Sequence, residues 1–169
     1  MLPNTSIALS GVPGSGKSSI ARLAELSGWE VICVEELAKT HGLLGEFDPE
    51  EQAKEIDIEQ LSKTLGSIQG PLIIDGHLSH HLQVDAIVIL RCKPSILRER
   101  LQQRDYPEWK IETNIEWEII GSSWSEIENT IVAEFETSDR EANHVWSEIE
   151  NWINEGTPSR NPFIDWMDD

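Results

Sequence analysis

The chain predicts a doubly wound α/β domain in which a five-stranded parallel sheet lies between helices on both faces, and three observations predict it. Short apolar runs at residues 7–9, 30–34, 71–75, 86–91 and 130–135 are near-continuous in character, as strands buried on both faces are. They alternate with segments of helical periodicity, the pattern of βαβ units with right-handed crossovers. A glycine-rich loop, Gly11-Val-Pro-Gly-Ser-Gly-Lys-Ser18, joins the first run to the first helical segment.

The first strand ends at Ser10-Gly11, and the helix after the loop carries Ile20, Leu23, Ala24 and Leu26 on one side, with Gly28 suited to its C-terminus. A second strand (30–34) leads to a short helix (35–40) and then to a loose polar stretch (41–51). Ile56, Ile58, Leu61, Leu65 and Ile68 predict a helix of about three turns closed by Gly70. The third strand is apolar until Asp75, and the fourth spans 86–91. Pro94 opens a helix running to Arg104, with Ile96, Leu97 and Leu101 inward. Residues 111–128 predict a further helix with a weak point at Gly121, and 130–135 the fifth strand. Ser138-Asp-Arg-Glu141 fits a capping box ahead of a helix bearing Val145, Trp146, Ile149, Trp152 and Ile153. The expected organisation is one domain over 1–155 and a tail over 156–169.

The net charge of −18 is uneven: residues 111–169 hold 15 acids against 2 bases, whereas 71–110 hold 5 against 6. Such a surface repels a phosphate backbone, so non-specific nucleic-acid binding is disfavoured except near the bases clustered at 91–110, and no direct sequence-specific nucleic-acid partner is expected. It suits either a basic protein partner or solubility in a salty cell. No apolar run is long enough to span a bilayer, and residues 1–5 lack the features of a signal peptide, so the expected location is cytoplasmic with no membrane partner. Cys33 and Cys92 lie in apolar runs and are read as reduced core residues. His80-His81 is read as a solvated loop pair.

The glycine-rich loop matches the eight-residue P-loop pattern in the required context, strand before and helix after. Glycines let successive N–H groups turn inward and form an anion nest at a helix N-terminus. Gly14, Ser15, Gly16, Lys17, Ser18 and Ser19 are therefore the expected nucleotide-binding residues, with Lys17 on the β- and γ-phosphates, the Ser18 hydroxyl on Mg²⁺ and Ser19 near the α-phosphate. Asp75, at the end of a buried strand, is the second expected Mg²⁺ residue, acting through water. ATP is the expected co-substrate. There is no Asn-Lys-x-Asp sequence and no Leu-Ser-Gly-Gly signature, which argues against GTPase and transporter readings.

Gly11 to Ser19, Val34-Glu-Glu-Leu-Ala38, Ile73-Ile-Asp-Gly-His77, Val88-Ile-Leu-Arg91, Leu97-Arg-Glu-Arg-Leu-Gln-Gln-Arg-Asp-Tyr106 and Asn114-Ile-Glu-Trp-Glu118 follow one another as in the isoenzyme-6-type adenylate kinases, which the chain resembles over about residues 1–155. The resemblance implies an NMP-kinase-like P-loop NTPase with an NMP-binding segment near 33–56 and a short lid near 103–113. It implies transfer between ATP and AMP, accompanying ATPase activity, and a role in maturing the small ribosomal subunit. A basic small-subunit ribosomal protein and the pre-30S particle are then the implied partners. Catalytic residues by resemblance are Lys17, Asp75, His77 and Arg104, with His77 beside the γ-phosphate and Arg104 on ATP phosphates. The backbone near Thr137 and Ser138 would face adenine. Lys39 would meet the NMP, although family members often place there an arginine with its planar fork. Two alternatives stand beside this reading: a nucleotide-gated assembly factor for which Trp146, Trp152, Phe163 and Trp166 could supply anchors, although Trp146 and Trp152 are read first as core packing, and a P-loop kinase for another small metabolite.

Overall fold

β1 (Ser6–Ser10) is buried along its whole length. Its side chains alternate between two faces that are both covered, which is why no polar alternation shows in the sequence. The computed structural model describes residues 1–168. After β1 come α1 (Lys17–Leu26), β2 (Glu30–Cys33), α2 (Val34–Thr40), β3 (Leu44–Asp48), β4 (Ala53–Ile56) and α3 (Ile58–Leu65). Then follow β5 (Leu72–Asp75), a 3-10 turn (Ser79–His81), β6 (Ala86–Arg91), α4 (Pro94–Gln102), α5 (Glu108–Ile120), α6 (Ser122–Ser125), β7 (Ile131–Glu136) and α7 (Ala142–Asn154).

The main sheet has the order β2-β5-β1-β6-β7, and every pairing in it is parallel. Ile7, Leu9, Val88, Leu90, Ala133 and Phe135 face the core shared with α1 and α7, including Ile20, Val145, Trp146 and Trp152. Ala8, Ile87, Ile89 and Val132 point the other way, toward Trp124 and Ile127. Each fully buried Ile or Leu side chain stabilises the fold by about 1.5–3 kcal/mol, so the two faces together supply the apolar drive that orders the sheet. The chain leaves β1 toward β2 and β5, then returns to its other side for β6 and β7. The strand order therefore reverses at β1, and the crevice at its carboxyl end is where such sheets bind ligands.

Several local expectations are corrected. The polar stretch at 41–51 contributes to an antiparallel hairpin of β3 and β4. Asp48 Oδ1 accepts from the backbone N–H groups of Glu50 and Glu51 and forms the turn; most hairpin side chains are exposed, so no apolar alternation announces it. The helix expected over 111–128 breaks at Gly121, whose φ of 63° is left-handed. Cys33 is exposed, because β2 is an edge strand, and its sulfur caps α2 by accepting from Glu36 N–H. The capping box does not form: Glu141 occupies the N-cap position without a side-chain bond, and Ser138 Oγ instead accepts from Lys93 N–H at 2.6 Å.

The tail returns to the domain. Glu134 Oε1 on β7 accepts from the N–H groups of Phe163 and Ile164, and the Trp166 indole donates to Glu118 Oε1 at 2.9 Å. Trp146 and Trp152 are buried, as the core-packing reading of their helix expects; of the tail pair, Trp166 is buried and Phe163 is exposed.

Candidate active site

The loop between β1 and α1 wraps a point where backbone and side chains crowd closely. A Cβ at Gly11 would sit 2.6 Å from Ser15 Oγ and 2.7 Å from Leu90 O, and one at Gly14 would sit 2.9 Å from Leu97 Cδ1. Both glycines also have positive φ, so no other residue fits these positions without strain. Gly16, in left-handed conformation, is the N-cap of α1, and this directs the helix N-terminus into the crevice.

Lys17 folds over the loop, its Nζ donating to Gly11 O at 2.7 Å and Val12 O at 3.0 Å. Burial lowers its pKa to about 8 against the pull of Asp75, and the Arg104 cation adds to the lowering. Asp75, at the end of β5, is half-buried, and its Oδ1 is enclosed without a hydrogen-bond partner. Burial raises its pKa, opposed by Lys17. Ser18, exposed at the start of α1, lines the same cleft. A hydroxyl and a carboxylate are the oxygen donors that suit Mg²⁺, and the unpartnered Oδ1 of Asp75 fits such a site.

His77 follows Asp75 by two residues. Its side chain is open to the cleft, yet the surrounding protein and the cations Lys17 and Lys110 hold its pKa down at about 4, desolvation being the largest cause. At neutral pH its imidazole is uncharged.

Lys17, Ser18, Asp75, His77 and Arg104 come together around one cleft of about 580 Å³. Its far wall is made by Glu35 of α2, Gln52 and Lys54 of the hairpin, and Tyr106, Trp109, Asn114 and Trp117 on and before α5. The Lys110 ammonium donates to Glu51 O and sits 4.7 Å above the Tyr106 ring, joining the hairpin tip to α5 across the mouth. Lys39 does not line this cleft. It is exposed on the same face of α2 as Glu35 but one turn further along the helix, beyond the residues that line the cleft.

A second cavity, of about 460 Å³, lies on the other side of the loop, lined by Gly14, Gly16, Ser19, Arg100, Arg104, Thr137 and Arg140. Gly14, Gly16 and Arg104 border both spaces. The backbone of Thr137 is already engaged here: its N–H donates to Arg91 O at 2.8 Å and its carbonyl accepts from Arg100 Nη2 at 2.9 Å. Arg100 also donates to Gly14 O at 3.1 Å, and the Thr137 hydroxyl donates to Ser15 O at 2.6 Å. Arg100 was not among the expected site residues. Its signal was its place one turn before Arg104 on a helix whose apolar residues, Leu97 and Leu101, face inward. Trp109 and Trp117 were likewise missed; both are 47% exposed, unusual for residues of their size within a helix. Replacing Arg100 by alanine is expected to free the loop from the β7–α7 connection and raise KM for ATP about tenfold, read from initial rates; an unchanged KM would refute the bracing role.

Residues 7–121 match the family model described as an AAA domain. Proteins named "Putative adenylate kinase" from Thermococcus kodakarensis and Archaeoglobus fulgidus are 35% and 36% identical to the chain; the matches cover 96% and 95% of it and 93% and 91% of those proteins. The chain belongs to this adenylate kinase-like family of P-loop proteins. A similar protein of Methanocaldococcus jannaschii bears the same name at 34% identity. Among solved structures, the shikimate kinase of Acinetobacter baumannii has a TM-score of 0.64 at 18% identity, covering 90% of this chain and 94% of that one. A gluconokinase from Sinorhizobium meliloti has a TM-score of 0.56 at 20% identity, covering 90% and 93%. At that identity the likeness concerns the fold, an NMP-kinase-like P-loop architecture. No helix among the described residues is long and apolar enough to cross a membrane.

Proposed function

We propose that this protein is a nucleoside monophosphate kinase that transfers the γ-phosphoryl group of ATP to AMP and yields two ADP. The observation that carries the reading is that two cavities meet at one phosphate loop, so a donor and an acceptor can be held on opposite sides of the transferring group. ATP would lie with its base toward Thr137 and Arg140 and its phosphates on Gly14 to Ser19. AMP would occupy the larger cleft, where Trp109 and Trp117 offer ring faces. Lys39 remains the family's candidate NMP residue, at a distance from the lining that closure of α2 would have to cover.

Catalysis of this kind is mainly positioning and stabilisation of charge on the transferring group. Lys17 and Arg104 share the charge on the phosphoryl oxygens. Ser18 and Asp75 would hold Mg²⁺, which when bound neutralises β- and γ-phosphate charge. The names of the archaeal relatives support the assignment.

The isoenzyme-6-type features belong to the same proposal. An uncharged His77 beside the phosphate loop is able to orient a water, and a lid of about ten residues excludes water incompletely, so ATP hydrolysis would accompany transfer. The acidic stretch 111–169 would receive a basic small-subunit ribosomal protein within the pre-30S particle, a role that pull-down with and without ATP tests: no small-subunit protein retained in either state refutes it. Two free cysteines accord with a cytoplasmic setting.

The decisive assay follows ADP formation from Mg-ATP with AMP, CMP, GMP, UMP, shikimate, gluconate and no acceptor. AMP is expected to give the highest kcat/KM; a faster non-nucleotide acceptor would overturn the reading in favour of another metabolite kinase. His77→Gln is expected to lower acceptor-free hydrolysis about 10²-fold and leave transfer to AMP within about threefold. Equal loss of both rates would contradict a water-orienting role.

A further inference from the structure

On the face of the sheet away from α1, the 3-10 turn and the segment after α6 bring His80, His81 and Glu126 together. Their ligand atoms all lie within 4.8 Å of one another. Glu126 Oε2 is 2.7 Å from His80 Nε2 and 3.3 Å from His81 Nε2. Ligands of a tetrahedral zinc ion bonded at about 2.0–2.1 Å are about 3.3 Å apart, so the Glu126–His81 edge already has the length required and the Glu126–His80 edge needs about 0.6 Å of opening. We propose that His80 Nε2, His81 Nε2 and the Glu126 carboxylate form a binding site for one Zn²⁺ ion, with the fourth position open to water.

Three further features point to a metal. His80 is 6% exposed, and its other ring nitrogen, Nδ1, is 2.7 Å from Ser10 Oγ, the outer partner that orients a ligating histidine. Ser10 Oγ also donates to His77 O at 3.3 Å. The hydroxyl's one proton serves a single contact at a time; when it is on His77 O, the Ser10 oxygen takes Nδ1–H of His80 and the Nε2 lone pair is left for a metal. The second feature is the 2.7 Å contact of His80 Nε2 with Glu126 Oε2, which a proton on Nε2 bridges in the metal-free protein and which Zn²⁺ would take over on displacing that proton. The third feature is access: a cavity of about 410 Å³ opens onto the cluster, with Glu128 in its lining and no lysine or arginine. None of the three ligands lines the nucleotide cleft. The ion would staple the 3-10 turn to the segment following α6, and Ser10, the residue immediately before the phosphate loop, would connect it to that loop through His80 Nδ1.

Protein stripped of metal by a chelator and dialysed is titrated with Zn²⁺ by calorimetry and with Co²⁺ by visible absorption. One equivalent per chain is expected, with the intense visible bands of four-coordinate cobalt and a Tm that rises with Zn²⁺. His81→Ala and Glu126→Gln, both at partly exposed side chains, are expected to weaken binding more than about tenfold. Asp75→Asn, in the nucleotide cleft, should keep full zinc affinity, and this separates the site from the proposed magnesium position. Absence of saturable uptake, or uptake undiminished in the His81 and Glu126 variants, would overturn the assignment.

Discussion

Replacing Lys17 by alanine is expected to lower phosphoryl transfer and ATP hydrolysis together by about two to three orders of magnitude while leaving the protein folded. The ammonium rests on Gly11 O and Val12 O, at the centre of the loop, where a phosphate oxygen can exchange for a carbonyl at small reorganisation cost. Its depressed pKa of about 8 adds a pH signature. Above that value the ligand-free protein holds a neutral amine, so ATP affinity should fall as pH rises through about 8 in the wild type and stay flat in the variant. The stability sign is the opposite: between about 8 and the ordinary lysine value the unfolded chain binds the extra proton, so this group's contribution to stability rises with pH. The variant's Tm is expected within about 3 °C of the wild type, since it loses a cation that burial disfavours. Retained turnover in Lys17→Ala, measured in the coupled assay, would refute the site.

Arg91→Met is expected to destabilise the fold by about 3–5 kcal/mol, seen as a Tm lower by about 10 °C in calorimetry. Arg91 ends β6, with its Nε 2.8 Å from Glu118 Oε1 and its Nη1 2.9 Å from Glu134 Oε2, all three side chains buried. Nη2 also donates to Glu118 O and Nη1 to Ile164 O. The substitution leaves two enclosed carboxylates without their cation. Burial already pushes the Glu118 carboxyl pKa up against the opposing pull of Arg91, so the substitution removes the largest counterweight and leaves only the Trp166 and Cys92 N–H bonds opposing it. The same two carboxylates accept from Phe163 N–H, Ile164 N–H and the Trp166 indole, so the tail should loosen first, read as faster hydrogen exchange at residues 163–166. Adding Glu118→Gln and Glu134→Gln should restore part of the loss; a single variant within about 1 kcal/mol of wild type would show that the triad carries little of the stability.

Local chemistry made much of this molecule legible from its sequence. The parallel strands announce themselves because both faces are covered, and the phosphate loop does so because glycine alone tolerates its close contacts and positive φ. Asp75 and His77 are carried to the cleft by the strand that ends beside them. The hairpin was invisible because its exposed side chains carry no burial pattern, and the capping box misled because Ser138 found a tertiary partner in Lys93 N–H.

What the sequence by itself determined is the sheet, the loop and Asp75 at a strand end, since each follows from periodicity or from one residue's conformational range, while His77 and Arg104 entered through the family resemblance. Only the tertiary structure decided that Arg100 braces the loop, that Trp166 is buried on Glu118, and that His80 and His81 are not a solvated pair but meet Glu126. Those outcomes depend on contacts between residues dozens of positions apart, as with Arg100 and Gly14 or His80 and Glu126, and no local pattern encodes which distant side chain will arrive.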